Sequence, residues 1–160
     1  MAVCGFTGYR YEKLPFSRTD AAAVSRLRAR LREACVCALD AGCTHFISGF
    51  AQGSDLLFAQ TVLSLGGEYA LTLEAALPFP DACARWCAED RAQYQALLSR
   101  CDRVYAVSPI PGKRFYLMRN DYIVNACDRL IAVYDGKPGG TAYTLRRAQQ
   151  KGVVIDMIKP

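Results

Sequence analysis

The sequence predicts an α/β protein, a three-layer α/β/α sandwich with a mostly parallel central sheet. Apolar runs of about four to eight residues, the length of strands buried on both faces, alternate with segments of helical period along the whole chain. Such alternation builds a parallel sheet whose crossover helices cover both of its faces. The 160 residues fit one domain, spanning 1–160, that buries roughly 68–70% of its unfolded surface. Composition agrees, because 52% hydrophobic against 22% charged residues excludes a disordered, collagen-like or coiled-coil chain.

The first predicted strand is Ala2 to Phe6, and a long irregular piece follows it from Thr7 to Thr19. Asp20 is placed to cap a helix whose apolar positions Val24, Leu27, Leu31, Cys35 and Ala38 recur at three- and four-residue steps and stop before Gly42. Arg26, Arg28, Arg30 and Arg32 lie largely off that stripe and read as a solvated face. A second strand, His45 to Ser48, leads to a helix that begins near Ser54 or Asp55 and runs through Leu57, Ala59, Val62 and Leu65 to Gly66-Gly67. Tyr69 to Leu77 is the third strand. After Pro78-Phe79-Pro80 the spacing predicts a helix from Asp81 to Ser99, carrying Trp86, Tyr94, Leu97 and Leu98. Strand Arg103 to Val107, an irregular Ser108 to Arg114, helix Phe115 to Cys127, strand Arg129 to Tyr134, helix Thr141 to Lys151 and strand Val153 to Ile158 complete the chain. No internal repeat or interdomain linker interrupts it.

A net charge of +5 favours anionic ligands without implying nonspecific polyanion binding. The eight cysteines form no paired CxxC and His45 is the one histidine, so no zinc or other metal site is expected. The start Met1-Ala2-Val3-Cys4-Gly5-Phe6 lacks the basic and apolar regions of a secretory leader. The thiols therefore read as small buried apolar residues in a reducing, cytoplasmic compartment. No apolar run reaches the ~18 residues of a membrane span.

In an open parallel sheet, ligands bind beyond the carboxyl ends of the strands. Three post-strand segments are built for that. Gly5-Phe6-Thr7-Gly8-Tyr9-Arg10 combines close backbone approach with hydroxyl and guanidinium donors. Ser48-Gly49-Phe50-Ala51-Gln52-Gly53-Ser54-Asp55 feeds a helix N-terminus, where free N–H groups and the helix dipole favour an anion. Asp135-Gly136-Lys137-Pro138-Gly139-Gly140-Thr141 repeats the pattern as the strongest phosphate cradle, with Thr141 expected to cap the last helix. Neither glycine run fits GxGxxG or GxxxxGK[ST], which disfavours a dinucleotide dehydrogenase or a P-loop NTPase. Arg119-Asn120-Asp121 offers an arginine to clamp a phosphate and an asparagine for a base or ribose, against a helix-surface salt bridge as the plainer alternative. Asp55 holds a ribose hydroxyl or caps its helix. Glu74 is expected at a strand end reaching solvent, and His45, with no Ser, Cys or carboxylate partner evident by motif, as a structural residue.

Thr7-Gly8-Tyr9-Arg10, Ser48-Gly49 through Gly53-Ser54-Asp55, Met118-Arg119-Asn120 and Gly139-Gly140-Thr141 together resemble the YpsA-like family. That family belongs to the SLOG superfamily, which also holds the DprA and Lonely Guy proteins. The resemblance implies a Rossmann-like sheet, a nucleotide or nucleotide-derived ligand, and a tendency to self-associate. Relatives usually read Thr-Gly-His-Arg where this chain has Tyr9, which removes an acid/base imidazole. Lonely Guy enzymes cleave the N-glycosidic bond of a nucleotide with an Arg and with a Glu in Pro-Gly-Gly-x-Gly-Thr-x-Glu. Arg119 stands where that Arg is expected, whereas Tyr143 stands at the Glu, and a phenol does not replace a carboxylate at an oxocarbenium-like centre.

The sequence thus points to a binding domain for a small anionic ligand such as ADP-ribose or a mononucleotide. Its expected site is Thr7, Gly8, Arg10, Ser48, Gly49, Gly53, Asp55, Arg119, Asn120, Gly139, Gly140 and Thr141. One alternative is an N-glycosidase or phosphoribosyl hydrolase that uses Asp55 or Glu74. The other is a DprA-like single-stranded DNA module in which Tyr9, Tyr11, Phe115 and Tyr116 stack on bases. Nucleic acid is the less favoured partner.

Overall fold

A computed structural model describes residues 2–160. Six strands, β1 (Ala2–Gly8), β2 (Cys43–Ser48), β3 (Thr72–Leu77), β4 (Arg103–Ala106), β5 (Arg129–Val133) and β6 (Val154–Ile158), form one sheet in the order β4-β3-β2-β1-β5-β6. Every pairing is parallel. Five helices connect the strands: α1 (Ala21–Asp40), α2 (Ser54–Leu65), α3 (Ala88–Leu98), α4 (Arg114–Ala126) and α5 (Gly140–Lys151).

The helices divide between the two faces of the sheet. Phe6, Phe46, Leu73 and Ile131 of the strands pack with Leu27 and Leu31 of α1, Phe58 and Val62 of α2, and Tyr94 of α3. On the opposite face, Ile47, Ala76, Leu130 and Ala132 pack with Ile123 and Val124 of α4 and with Leu145 and Ala148 of α5. The alternation along a strand that feeds both cores is the period-two geometry of a sheet buried on both sides. Phe6 stacks on Phe58 with ring centroids 4.5 Å apart, which locks α2 against β1.

Strand order reverses between β1 and β5, so the loop after β1 turns toward α1 while the loop after β5 turns toward α5 on the other face. That divergence opens a crevice at the carboxyl edge of the sheet.

β1 runs two residues past its expected end at Phe6, β2 begins two residues before His45, and two elements differ from the sequence reading by more. Residues 81–87 are successive turns rather than helix, because Asp81 holds a left-handed backbone (φ 54°) that cannot start a right-handed helix. The helix begins only at Ala88. Tyr69 to Leu71 belongs to the turn leaving α2, with the Tyr69 N–H still bonded to the Leu65 carbonyl at 3.0 Å, so β3 starts at Thr72. Asp20 does cap α1, its Oδ1 accepting from the Ala23 N–H at 3.1 Å. All eight cysteines are free thiols. Cys4, Cys35, Cys43, Cys83 and Cys127 are buried, while Cys37 and Cys87 are exposed. No helix among the described residues is long and apolar enough to cross a membrane, and no cluster of His, Cys, Asp or Glu among them is placed to hold a metal ion.

Candidate functional site

The crevice is a cavity of about 340 Å³ whose lining includes Thr7 and Gly8 at the end of β1, Tyr9 and Arg10 after it, Ala51 from the β2–α2 connection, Asp55 from the first turn of α2, Tyr116, Arg119 and Asn120 from α4, and Gly140 and Thr141 from α5. Eight of the twelve expected site residues therefore meet in one place: Thr7, Gly8, Arg10, Asp55, Arg119, Asn120, Gly140 and Thr141. Ser48, Gly49, Gly53 and Gly139 stand behind them.

Each of those four has a local reason. Ser48 is fully buried, and its hydroxyl donates to the Asp55 carbonyl at 2.9 Å while accepting from the Phe50 N–H at 3.2 Å. It is a brace for the turn. Gly53 sits at φ 94°, and a Cβ there would stand 2.7–2.8 Å from the backbone of Tyr9, Arg10 and Tyr11. Only glycine lets the β2–α2 turn lie this close to the strand β1 extension, where the Ser54 N–H donates to the Tyr9 carbonyl at 3.0 Å. Gly49 adjoins a smaller neighbouring crevice, and a Cβ on it would lie 2.8 Å from Arg119 Nη1 and 2.9 Å from Asp55 Oδ2. Gly139 is the residue before α5.

Arg119 is not on the helix surface. It is 5% exposed, and none of its hydrogen bonds goes to a carboxylate, so the salt-bridge alternative falls. Nε donates to Asn120 Oδ1 at 2.8 Å, and Nη1 donates to the Gly49 carbonyl at 2.5 Å and, marginally, to that of Ala76 at 3.5 Å. Burial lowers the guanidinium pKa and the nearby Asp55 opposes that shift. Asp55 lies in the first turn of α2 but does not cap it. Its Oδ2 accepts from the Ala51 N–H at 3.1 Å. Burial pushes its carboxyl up, while Arg119, the Ala51 N–H and Arg10 hold it down. Arg10, exposed at the rim, lies over the Tyr116 ring at 5.3 Å.

The N-terminus of α5 carries no side-chain cap. Thr141 was expected to cap it and instead sits inside the first turn, because the helix already begins at Gly140. Its hydroxyl is left facing the cavity, beside first-turn N–H groups that no side chain satisfies. The loop that delivers this turn is pinned by Tyr9. The Tyr9 hydroxyl donates to Asp135 Oδ1 at 2.7 Å and accepts from the N–H groups of Asp135 (3.0 Å) and Lys137 (2.9 Å). Lys13 Nζ donates to the Pro138 carbonyl at 2.6 Å, and Lys137 Nζ returns a bond to the Lys13 carbonyl at 2.5 Å.

Sequence reasoning missed Lys13 as a tether and the short 3-10 turn Tyr11–Lys13. It also misplaced one residue elsewhere. Glu74 does not reach solvent: it is 3% exposed, and its carboxylate meets His45 Nε2 at 2.8 Å, the Tyr122 hydroxyl and, more distantly, Arg103. His45 thus has a carboxylate partner, and its Nδ1 meets the Thr72 hydroxyl at 2.7 Å. Burial, and then Glu74, push the Tyr122 phenol up to about 12. Glu74 and His45 lie outside the cavity lining. Tyr143 also faces elsewhere, its hydroxyl donating to the carboxylate of Asp121 at 2.9 and 3.1 Å.

A parallel six-stranded sheet, helices on both faces and a crevice where the strand order reverses define a Rossmann-like α/β protein. The YpsA family model, described as the YspA SLOG family, matches residues 4–159, and the chain belongs to that family. It is 27% identical over 158 residues to UPF0398 proteins of Bacillus thuringiensis (strain Al Hakam) and Bacillus cereus (strain AH187), covering 96% of this chain and 86% of theirs. Among solved structures it resembles TM1055 (TM-score 0.63, 18% identity, 97% of this chain and 72% of that one). It also resembles DNA processing protein A of Streptococcus pneumoniae (0.63, 19%, 99% and 50%). The same protein of Helicobacter pylori, whose structure describes a single-stranded DNA binding mode, gives 0.67 at 16% identity, over 99% of this chain and 66% of that one. These likenesses establish the shared fold.

Proposed function

We propose that this protein binds a small phosphorylated, nucleotide-derived metabolite in the crevice between β1 and β5. One observation carries the reading: an uncapped helix N-terminus and a buried arginine line the same cavity. Backbone N–H groups of α5 and the Thr141 hydroxyl receive the phosphate, the helix dipole adds a partial positive charge, and Arg10 closes over it from the rim. Arg119 supplies a desolvated cation at the floor, where an anion or hydroxyl gains more than it would in water. The cavity stands at the lower end of the roughly 300–1,000 Å³ usual for small-molecule sites, which suits a mononucleotide better than a dinucleotide. The eight free thiols support a reducing, cytoplasmic setting.

The Gly140→Asp variant tests the phosphate placement. A Cβ at position 140 meets nothing closer than Asn120 Nδ2 at 3.6 Å, an ordinary contact, so the substitution is sterically tolerated at that atom and sets a carboxylate among the donors. Calorimetry with AMP and ADP-ribose should show binding to the unaltered protein and at least a tenfold loss in the variant. Unchanged affinity in a variant of normal melting temperature refutes the placement. Glycosidic cleavage is the second reading, favoured by the buried Asp55 within the cavity. Release of free base from AMP, lost in Arg119→Ala, would establish it.

A further inference from the structure

We infer that the floor of the crevice, formed by Asp55 and Arg119 beside Gly49, selects a ribose over a 2-deoxyribose by engaging the vicinal hydroxyls of a ribose phosphate. The inference rests on the reading of the crevice as a phosphate site and adds what the rest of the ligand must be. Asp55 is 7% exposed and Arg119 is 5% exposed, yet they form no ion pair with each other. Opposite charges taken out of water ordinarily close on one another, because direct pairing offsets part of the desolvation cost. Here they stay apart. The Gly49 carbonyl accepts from Arg119 Nη1 at 2.5 Å and Asp55 Oδ2 accepts from the Ala51 N–H at 3.1 Å, while both groups border the space that a Gly49 side chain would fill, 2.8 and 2.9 Å from its Cβ position.

Each charge is consequently half used. Of the Asp55 carboxylate, Oδ2 takes the Ala51 N–H, while Oδ1 accepts nothing from the described residues and opens to the cavity. Of the Arg119 guanidinium, Nε and Nη1 are spent on Asn120 and Gly49, while Nη2 has no acceptor among the described residues. A free acceptor and a free donor left at the floor of one cavity call for a group that both donates and accepts. A phosphate oxygen only accepts, and would meet repulsion from Asp55. Hydroxyls take both roles, one donating to the carboxylate and its neighbour accepting from the guanidinium. Two adjacent hydroxyls satisfy both residues together, which is the arrangement on the 2 and 3 carbons of ribose. With the phosphate at Gly140 and Thr141, the ribose of a ribose 5-phosphate would lie toward Asp55 and Arg119, which line the same 340 Å³ cavity. Removal of the 2-hydroxyl leaves one buried polar group unpaired, the circumstance in which sites discriminate most sharply.

Calorimetric titration of the full chain with inorganic phosphate, ribose 5-phosphate and 2-deoxyribose 5-phosphate tests this. The unaltered protein should bind ribose 5-phosphate at least tenfold tighter than its 2-deoxy analogue. Asp55→Asn keeps an oxygen for the Ala51 N–H, so it preserves the turn; it should reduce that ratio to within about threefold while leaving the affinity for inorganic phosphate within about threefold. Equal binding of the two sugar phosphates to the unaltered protein overturns the inference and leaves the phosphate site standing, as does a folded Asp55→Asn variant that keeps the full ratio. Failure of all three probes to bind removes the phosphate site as well.

Discussion

The Tyr9 hydroxyl stands at the junction of the two loops that form the crevice. It makes one bond to a carboxylate and receives two from backbone N–H groups, across a separation of more than a hundred residues in sequence. Burial and the bond to Asp135 raise its pKa, so the phenol stays protonated and remains both donor and acceptor. Tyr9→Phe keeps the ring and deletes all three bonds. Because Asp135 and Lys137 are exposed, water replaces part of what is lost, and denaturant unfolding should show a stability decrease of about 1–2 kcal/mol. The same variant should weaken ligand binding by loosening the turn before α5; a variant as stable as the parent would show that the hydroxyl is dispensable. At this scale the sequence is legible where the signal is local. Gly139-Gly140-Thr141 and Gly53-Ser54-Asp55 announce tight turns before helices by themselves. His45 and Glu74 do not announce each other, because their meeting depends on the β2–β3 register that sets His45 opposite Thr72 and Ile47 opposite Glu74.

Helix α3 is the element that sequence reasoning drew too long, and its true start explains why. Asp90 in its first turn accepts a bidentate pair of bonds from Arg18, at 2.8 and 3.0 Å, and a third from Gln52 at 2.9 Å. These bonds tie the loop after β1 and the β2–α2 turn to the beginning of α3, while periodicity carries no trace of them. The bond from Arg18 is the main cause holding the Asp90 carboxyl below the usual range. A carboxyl whose pKa is lower folded than unfolded stabilises the fold above its unfolded value of about 3.9, and loses that contribution as pH falls through the folded value. Arg18 is 42% exposed on its side chain, so screening limits the contribution to about 1 kcal/mol. Asp90→Asn should therefore be less stable than the parent at pH 7, and the difference should shrink as the pH is lowered below 4 in parallel urea titrations. A difference that stays constant across that range would assign the effect to geometry rather than charge. The helices drawn correctly, α1, α2 and α5, are those whose stops are written locally, by Gly42, by Gly66-Gly67 and by Gly152.

At the level of the whole molecule, the alternation of apolar runs and helical segments carries the layer order, since six short apolar strands with intervening helices pack stably in few other ways. Strand order is not legible in that pattern. It depends on where the β4–α4–β5 connection crosses the sheet, and that crossing is what puts α4 and Arg119 opposite the loop after β1. The crevice is thus bounded by segments far apart in sequence: residues 6–13, 51–55, 116–123 and 140–141. A ligand that bridges them must stabilise the fold as a unit. At a hundredfold excess over its dissociation constant the linkage amounts to about 2.7 kcal/mol, or a rise of roughly 5–10 °C in melting temperature for a domain of this size. Ribose 5-phosphate should produce that rise, and hydrogen exchange should place the protection. The amides of Gly140 to Ala142, which have no hydrogen-bond partner among the described residues at the start of α5, should slow in its presence, since a phosphate seated on them blocks access directly. The exposed turn Gly66 to Ala70, at the opposite edge of the sheet, should exchange at an unchanged rate. Protection of both regions alike would mean general stabilisation by an ion bound elsewhere, and protection of neither would place the ligand outside the crevice.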